Sequence, residues 1–460
     1  MVHNVIVIGG GISGLTAAFE LRKRRPGWSI LVLEKEDVAG GKVRSGSIDG
    51  FTVDWGPNGF QAAPHTLELV EELGLEAKLS PASDHARYRY LYRDGSLRRV
   101  PVKPREFLAT ELLSPAGKLR AALEPLLGRR YANGTDESVH DFVARHFGGE
   151  AARTLAATMV LGITAGDSRR LSAGALFPRM RQMERDHGSL LRAMASSRGS
   201  STRGSSKGRR SAGAALYSFK PGGMGELTAA LGRHLGDDLR TGTEVEMVNA
   251  GNGGGYEVTL TSGERLQTEQ LVVATPAYTS ARLLGPILAG ATDALEQIPY
   301  AQVDVLVMAY HRVDVAHPLD GFGFLAPRGE GVRSLGAIWT SSLFEESAPA
   351  GTVFLRVLAG GVLDPGFGEL EDAQAFAAVA HDLRLTLGVT AEPIFSQRIS
   401  IPRAIPQYEL GHRGRVERAM AAARHWPGLV LAGNAFHGVA VNDCVRDALR
   451  VADEMVGVNR

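Results

Sequence analysis

Cys444 is the sole cysteine in 460 residues. One thiol permits no disulfide within the chain, no Cys-x-x-Cys redox pair and no thiolate zinc site. The dithiol reductases are thereby excluded. Charge of one sign is also lacking: 51 Lys and Arg face 50 Asp and Glu, a formal net charge of +1. Nothing in that balance favours nucleic acid as a partner. No apolar run approaches the ~20 residues needed to span a bilayer as a helix. Met1-Val2-His3-Asn4 runs straight into an apolar strand, so no secretory leader is expected and the default compartment is the cytoplasm. The 13 histidines are scattered, none at the spacing of a zinc site, and no metal is expected. A G-x-S-x-G nucleophile elbow is absent as well.

What is present is ordinary globular composition, 44% hydrophobic and 22% charged. The length exceeds what one core supports, so two or three domains are expected. Val5 to Ile8 reads as a buried parallel strand, Ile12 to Arg24 as a helix ended by Pro26-Gly27, and Ile30 to Leu33 as a second strand. Together they make a βαβ unit. Leu67 to Leu73 has helical spacing. Arg87 to Tyr92, turned by Arg93-Asp94-Gly95, reads as a hairpin. Pro104 to Ala195 is helical in pattern. Leu271 to Ala274 and Leu429 to Ala432 are further buried strands, Val303 to Tyr310 and Val353 to Leu358 longer ones. Ala373 to Leu387 and Cys444 to Val456 read as helices. Nucleotide-type strands thus recur at the start, middle and end. The predicted class is α/β, with a doubly wound domain assembled from separated segments and other domains inserted between them.

Gly9, Gly11 and Gly14 form G-x-G-x-x-G between the first strand and its helix. The first permits the tight turn, the second lets backbone approach a pyrophosphate, and the third lets helix and strand pack closely. The helix N-terminus offers N–H groups and partial positive charge to phosphate. Glu34 ends the next strand 20 residues after Gly14, where a carboxylate accepts ribose hydroxyls and repels a 2′-phosphate. Gly40-Gly41 follows six residues beyond that acid, a spacing of flavoproteins rather than of NAD dehydrogenases. FAD is therefore the expected cofactor. Lys42 and Arg44 either meet phosphate charge or belong to a solvated loop. Asp54-Trp55-Gly56-Pro57-Asn58 is a tight polar turn suited to lie against an isoalloxazine, or plain turn chemistry. Near the C-terminus, Gly433-Asn434 and Gly438-Val439-Ala440-Val441-Asn442-Asp443 repeat the strand, glycine turn and helix start. That second helix N-terminus could stabilise negative charge on a reduced flavin. His437 stands close by, as a structural residue or a functional one.

Ser196 to Ser211 is Ser/Gly-rich and carries Arg198, Arg203, Lys207, Arg209 and Arg210 with no acid. It is expected to be a loop, serving either as a solvated linker or as a contact for anionic lipid.

Several stretches together resemble the protoporphyrinogen oxidase family of haem biosynthesis. They are Gly9-Gly10-Gly11-Ile12-Ser13-Gly14-Leu15, Gly56-Pro57-Asn58, Ala165-Gly166-Asp167, Leu171-Ser172, Phe177-Pro178 and Met183-Glu184-Arg185-Asp186-His187. Ile405-Pro406-Gln407-Tyr408 and Gly433-Asn434-Ala435-Phe436 add to them. The resemblance covers nearly the whole chain, and 162–191 is its most specific part. It implies an FAD-binding domain (1–85, 213–290, 425–460), an α+β substrate domain (86–100, 291–424) and a helical domain (101–212) that touches the membrane without crossing it. It implies non-covalent FAD and six-electron oxidation of protoporphyrinogen IX to protoporphyrin IX, with three O2 reduced to H2O2. A cytoplasmic protein held peripherally at the cell membrane follows from it, as does a possible partner in the next haem-pathway enzyme.

Residues carry over by position. The resemblance assigns Gly9 to Leu15, Glu34, Lys35, Gly41, Lys42, Gly56, Pro57, Asn58, Gly59, Gly433, Val439, Ala440 and Val441 to the cofactor. It sets Val245 at the adenine and Asn58 near the reacting carbon, as the one candidate catalytic residue. Arg89 matches an arginine that pairs a substrate propionate. Phe322, Leu325 and Leu358 match apolar walls of the macrocycle site. Gly59 stands where many relatives have Ser, and Ile401 where they often have Trp. The nearest alternative is coproporphyrinogen III oxidase, whose substrate carries two further carboxylates. More distant ones are an FAD amine oxidase and a non-catalytic flavin-binding scaffold.

Overall fold

The computed structural model describes residues 2–127, 135–200, 215–288 and 290–457. The chain divides into two compact units, Met1–Pro81 with Ala212–Pro299 and Arg413–Arg460, and Ala82–Ser211 with Tyr300–His412.

In the first unit the sheet runs in the order Leu239–Arg240, Ile30–Leu33, Val2–Ile8, Arg265–Val273, Tyr256–Leu260, Val245–Ala250, and Leu429–Leu431 also pairs with Arg265–Val273. Val2–Ile8, Ile30–Leu33, Leu239–Arg240, Arg265–Val273 and Leu429–Leu431 are joined by parallel ladders. Val245–Ala250 and Tyr256–Leu260 add an antiparallel flank. Ile30–Leu33 and Leu429–Leu431 are buried along their whole length, because helices cover both faces of such a sheet. Helices Ile12–Arg24 and Val441–Gly457 pack together. With Gly225–Leu235 they close a core that includes Leu15, Leu21, Leu231, Val445 and Met455. Each such side chain contributes ~1.5–3 kcal/mol by burial. The doubly wound class is the one observed.

The second unit has a seven-stranded sheet in the order Phe395–Pro406, Tyr300–His311, Thr352–Gly360, Gly336–Trp339, Gly323–Leu325, Tyr90–Arg93, Ser96–Arg99. All pairs are antiparallel except Gly323–Leu325 with Tyr90–Arg93. Alternation decides its two faces. Val353, Leu355, Val357 and Ala359 join Ala375, Val379 and Leu383 of helix Asp372–Leu387 in one core. Phe354, Arg356 and Leu358 therefore project from the other face.

Apart from 291–299 and 413–424, the expected helical and substrate segments fall in this one unit, residues 101–211 with 86–100 and 300–412. The helices enclose Phe142, Val143, Ala152, Val160 and Leu171. They also carry a buried ionic network: Arg145 reaches Glu137 at 2.5 Å and Glu184 at 2.6 Å, and Arg181 reaches both acids at 2.7 Å. Glu184, part of the stretch most specific for the resemblance, thus has a structural task.

Several expectations shift. The first strand begins at Val2 rather than Val5. The hairpin strands are Tyr90–Arg93 and Ser96–Arg99, and Arg87 belongs to a short 3-10 turn before them. The loop expected from Ser196 begins later, since helix Leu190–Ser200 continues through Ser200; 201–211 lies outside the described residues. Residues 291–299 and 413–424, expected with the substrate segments, belong to the first unit, and residues 82–85, expected with the FAD-binding segments, belong to the second. Helix Thr292–Glu296 explains part of this by packing on Ala277–Leu284.

Candidate functional site

The glycines of the first unit divide into those that close packing and those that leave room. Gly9 has φ +108°, and a Cβ there would lie 2.9 Å from the Ala274 carbonyl oxygen. A Cβ on Gly14 would come within 2.0 Å of the Gly9 carbonyl oxygen. Around the Cβ position of Gly11 nothing lies within 4 Å. Gly11 is the N-cap of helix Ile12–Arg24 and no side chain caps that end. Ile12, Ser13 and Gly14 thus begin a helix ahead of its first intrahelical acceptor, an arrangement suited to an anion, whereas Leu15 N–H donates to the Gly11 carbonyl at 2.9 Å.

The second glycine pair closes on the first. Gly40 N–H donates to the Gly10 carbonyl at 2.7 Å, and a Cβ on Gly41 would lie 3.1 Å from Gly11 Cα. The Glu34 carboxylate accepts from Gly10 N–H at 2.7 Å through Oε2 and from Glu36 N–H at 2.9 Å through Oε1. An ionised carboxylate keeps further lone pairs, so ribose hydroxyls can still be met. Thr243 N–H bonds to the Glu34 carbonyl at 2.8 Å. The buried Val245 follows two residues later. Lys42 is half-buried, and desolvation lowers its pKa to about 8. A Cβ on Gly56 would lie 2.0 Å from the Lys42 carbonyl oxygen, which holds the Gly56-Pro57-Asn58 turn against the same backbone. Asn58 is buried, and its Nδ2 has no hydrogen-bond partner among the described residues. Such an orphaned donor is costly unless a ligand meets it. Gly59 packs on Tyr217.

The C-terminal turn reaches the same strand end. Gly433 has φ +118° and its Cβ position lies 3.9 Å from the Thr275 carbonyl oxygen, next to the Ala274 that crowds Gly9. Asp447 accepts from Gly433 N–H at 3.3 Å. Val439 and Ala440 lead into the buried Val441, first residue of the last helix. Asn442 anchors this passage, accepting from Thr66 Oγ1 at 2.8 Å and donating to the Gln61 carbonyl at 2.9 Å. One expected participant, Lys35, is exposed and pairs with Glu36 at 2.9 Å. His437, left open between a structural and a functional role, is exposed and lies 3.8 Å from Asp447, the acid that bonds Gly433 N–H. An open helix N-terminus, a ribose-type acid, a half-buried cation and a buried unmet amide fit a flavin dinucleotide.

In the second unit, Leu325 pairs with Gly336 and Gly336 with Leu358, so Leu325 and Leu358 share a row and a face. Both are half-buried. The Arg89 guanidinium lies 4.7 Å over the Phe322 ring, a cation–π contact that orients the fork. Arg89 is exposed, yet desolvation by surrounding protein still lowers its pKa from the usual arginine value. Sequence reading missed Arg356 and Ile338, which lie opposite one another on this same face. The available signal was the polar residue inside Val353–Leu358, an apolar run in which alternation carries Arg356 to the side of Leu358.

Comparison with known proteins agrees with this geometry. Residues 12–456 match the family described as flavin containing amine oxidoreductase. A chloroplastic protoporphyrinogen oxidase from Nicotiana tabacum is 32% identical over 98% of this chain and 85% of its own. A coproporphyrinogen III oxidase from Propionibacterium freudenreichii is 33% identical over 98% of this chain and 90% of its own. A crystal structure of a candidate protoporphyrinogen oxidase from Exiguobacterium superposes with a TM-score of 0.84 at 24% identity, covering 99% of both chains.

Proposed function

We propose that this chain, an FAD-dependent oxidoreductase that belongs to the flavin containing amine oxidoreductase family, oxidises a porphyrinogen to a porphyrin. The observation that carries the reading is the apolar face of Leu325 and Leu358 with Arg89 held over Phe322 at its edge. A flat macrocycle with an acidic margin needs such a wall and such a fork. Relatives named for protoporphyrinogen and coproporphyrinogen oxidation support the substrate class.

Gly9 to Leu15, Gly41 and Lys42 hold the pyrophosphate, Glu34 the ribose, and Val245 the adenine side. Gly56 to Gly59, Gly433 and Val439 to Val441 would border the flavin ring, and Asn58 would supply its buried N–H donor there. Bound FAD would supply hydride abstraction from a substrate carbon, with O2 as the final electron acceptor. Three such rounds convert a porphyrinogen and three O2 into a porphyrin and three H2O2. The proposal has the cofactor held without a covalent bond, and the sole thiol supports it against a thioether link: Cys444 is buried and desolvation pushes its pKa up to about 12, so it offers no thiolate.

Peripheral attachment to a membrane is part of the proposal. Among the described residues no helix is long and apolar enough to cross one. Leu108, Leu119 and Leu126 of the helical segment are 72%, 61% and 76% exposed, with Lys118 donating to the Leu108 carbonyl. Exposed leucines beside a cation suit an anionic lipid surface.

The test supplies the flavin-loaded protein with reduced protoporphyrinogen IX or coproporphyrinogen III and follows porphyrin fluorescence with O2 uptake. The expected result is porphyrin formation with three O2 consumed per porphyrin. Oxidation of neither substrate refutes the reading.

A further inference from the structure

A cleft of about 320 Å³ opens in the second unit, with Arg312, Pro318, Leu319, Ser341, Glu345 and Val353 among its lining residues. Three chain segments meet there. They are the 3-10 turn Arg312–Asp314 after strand Tyr300–His311, the short helix Thr340–Leu343 after strand Gly336–Trp339, and the start of strand Thr352–Gly360. None of these lining residues belongs to the dinucleotide cradle or to the face of Leu325 and Leu358. The volume falls at the small end of small-molecule sites, which run from ~300 to ~1,000 Å³.

Two side chains of opposite charge line this cleft. Among the described residues, neither Arg312 nor Glu345 forms an ion pair, with each other or with a third group. Arg312 is nonetheless fixed. Its main-chain N–H donates to the Gly351 carbonyl at 3.0 Å, and its Nη2 to the His317 carbonyl at 2.8 Å. Its Nη1 is buried and has no acceptor among the described residues. A buried guanidinium donor without an acceptor is costly, and a carboxylate is the group its fork matches. His317 adds no competing cation: its Nδ1 accepts from Leu319 N–H at 3.0 Å, and desolvation lowers its pKa. Ser341 Oγ accepts from Phe354 N–H at 3.0 Å, which leaves its hydroxyl proton to donate. Glu345 is exposed and offers acceptors only. A ligand bearing a single charge would be drawn to one of the two residues and repelled by the other.

We infer that this cleft binds a small zwitterion, an aliphatic chain with a carboxylate at one end and a protonated amine at the other. Arg312 and Ser341 receive the carboxylate, and Glu345 receives the ammonium. Pro318, Leu319 and Val353 pack against the methylenes between them. The site recognises its ligand without chemistry and is separate from the one that oxidises substrate.

The experiment titrates flavin-loaded protein calorimetrically with glycine, β-alanine, γ-aminobutyrate and ε-aminocaproate. Plain carboxylates and plain amines of matching length serve as controls, and bound FAD keeps the phosphate-binding backbone occupied. One member of the series should bind saturably, about tenfold tighter than the carboxylate or the amine of equal length. Arg312→Gln should weaken that member at least about tenfold, as loss of a charge-assisted hydrogen bond does. Glu345→Gln should weaken it only about threefold, because an exposed ion pair contributes little, and should strengthen the plain carboxylate by about the same factor. Arg89→Ala should leave the titration unchanged. Bound-flavin absorbance and Tm serve as controls of the fold. Should Arg312→Gln not fold, the crossed response of Glu345→Gln decides alone. No saturable binding by any member overturns the inference. So does undiminished binding in a folded Arg312→Gln protein, or a Glu345→Gln variant that shifts zwitterion and carboxylate in the same direction. None of these results bears on the porphyrinogen reading, which its own assay tests.

Discussion

Around Gly9, Gly11, Gly40 and Gly433 the first unit offers main-chain N–H groups and space, whereas around Leu325, Ile338 and Leu358 the second offers side chains placed by strand register. The two kinds of site fail differently. A backbone site is lost when any side chain intrudes, and its specificity is for what every dinucleotide shares. A register site tolerates exchange of one side chain, and each exchange alters which substrate fits.

The largest effects separate two glycines three residues apart. At Gly14 a Cβ would come within 2.0 Å of the Gly9 carbonyl oxygen, so Gly14→Val should prevent packing of helix on strand and yield little folded protein. At Gly11 nothing lies within 4 Å, so Gly11→Val should leave the Tm of the apoprotein nearly unchanged. Its FAD affinity should nevertheless fall by more than about 100-fold, because the branched side chain fills the phosphate position. Thermal melts with flavin titration check both. Equal loss of Tm in the two variants would erase the distinction between packing and cradle glycines.

Next in size is the ionic network of the helical segment. Burial pushes the Glu184 carboxyl up, but Arg145 and Arg181 more than reverse this and leave its pKa lowered. A carboxylate whose folded pKa is depressed stabilises the fold above its unfolded pKa of ~4.3, and that stability is lost as pH falls through the folded value. Glu184→Ala leaves two arginines facing fewer acids and should cost ~3–5 kcal/mol, as breaking buried pairs does. The loss should shrink toward acid pH in urea melts. A cost below about 1 kcal/mol at neutral pH would mean that solvent already screens the network.

A smaller and more selective effect is expected at Arg89. Arg89→Ala should raise KM for a porphyrinogen by about 10- to 100-fold, the equivalent of ~1.5–3 kcal/mol for a charge-assisted hydrogen bond. The flavin spectrum should not change. Unchanged KM on both porphyrinogens would take Arg89 out of the site and leave Phe322 as ordinary packing.

The two regions were also unequally legible in the sequence. Glycine spacing is local: Gly9, Gly11, Gly14 and Glu34 lie within 26 residues, and each has one physical reason to be what it is. Their strand, turn and helix therefore followed from the chain alone, as did the recurrence at Gly433. The place of Arg356 on the face of Leu325 and Leu358 was not legible. Its meaning depends on pairing with Ile338 and on which neighbours bury against helix Asp372–Leu387, and both are long-range contacts. Phe395–Pro406, whose SQRISIPRAIP pattern mixes charge and proline, gave no clean alternation and was not expected as a strand. It is an edge strand of its sheet, where proline is tolerated. Leu190–Ser200 shows the opposite error, since Ser and Gly at its end implied a loop where the helix persists.

The smallest expected effect is a pH dependence that only the backbone site should show. Lys42 adjoins Gly41 and Gly56, and desolvation lowers its pKa to about 8. Below that value the folded protein carries an ammonium beside the cradle, and above it a neutral amine. Between about 8 and the ordinary lysine value near 10.4 the unfolded chain holds a proton that the folded apoprotein has released, so apoprotein stability rises with pH across that window. The cofactor should respond with the opposite sign, because a pyrophosphate favours the charged form. FAD affinity should therefore weaken by up to about tenfold as pH rises through 8, and saturating FAD should carry the titration upward. Lys42→Met should flatten the profile and lower affinity at neutral pH toward the alkaline wild-type value. Isothermal titration of the apoprotein between pH 7 and 9 measures this directly. A profile that stays sloped in Lys42→Met would assign the titration to another group, and a flat wild-type profile would place Lys42 away from the phosphates.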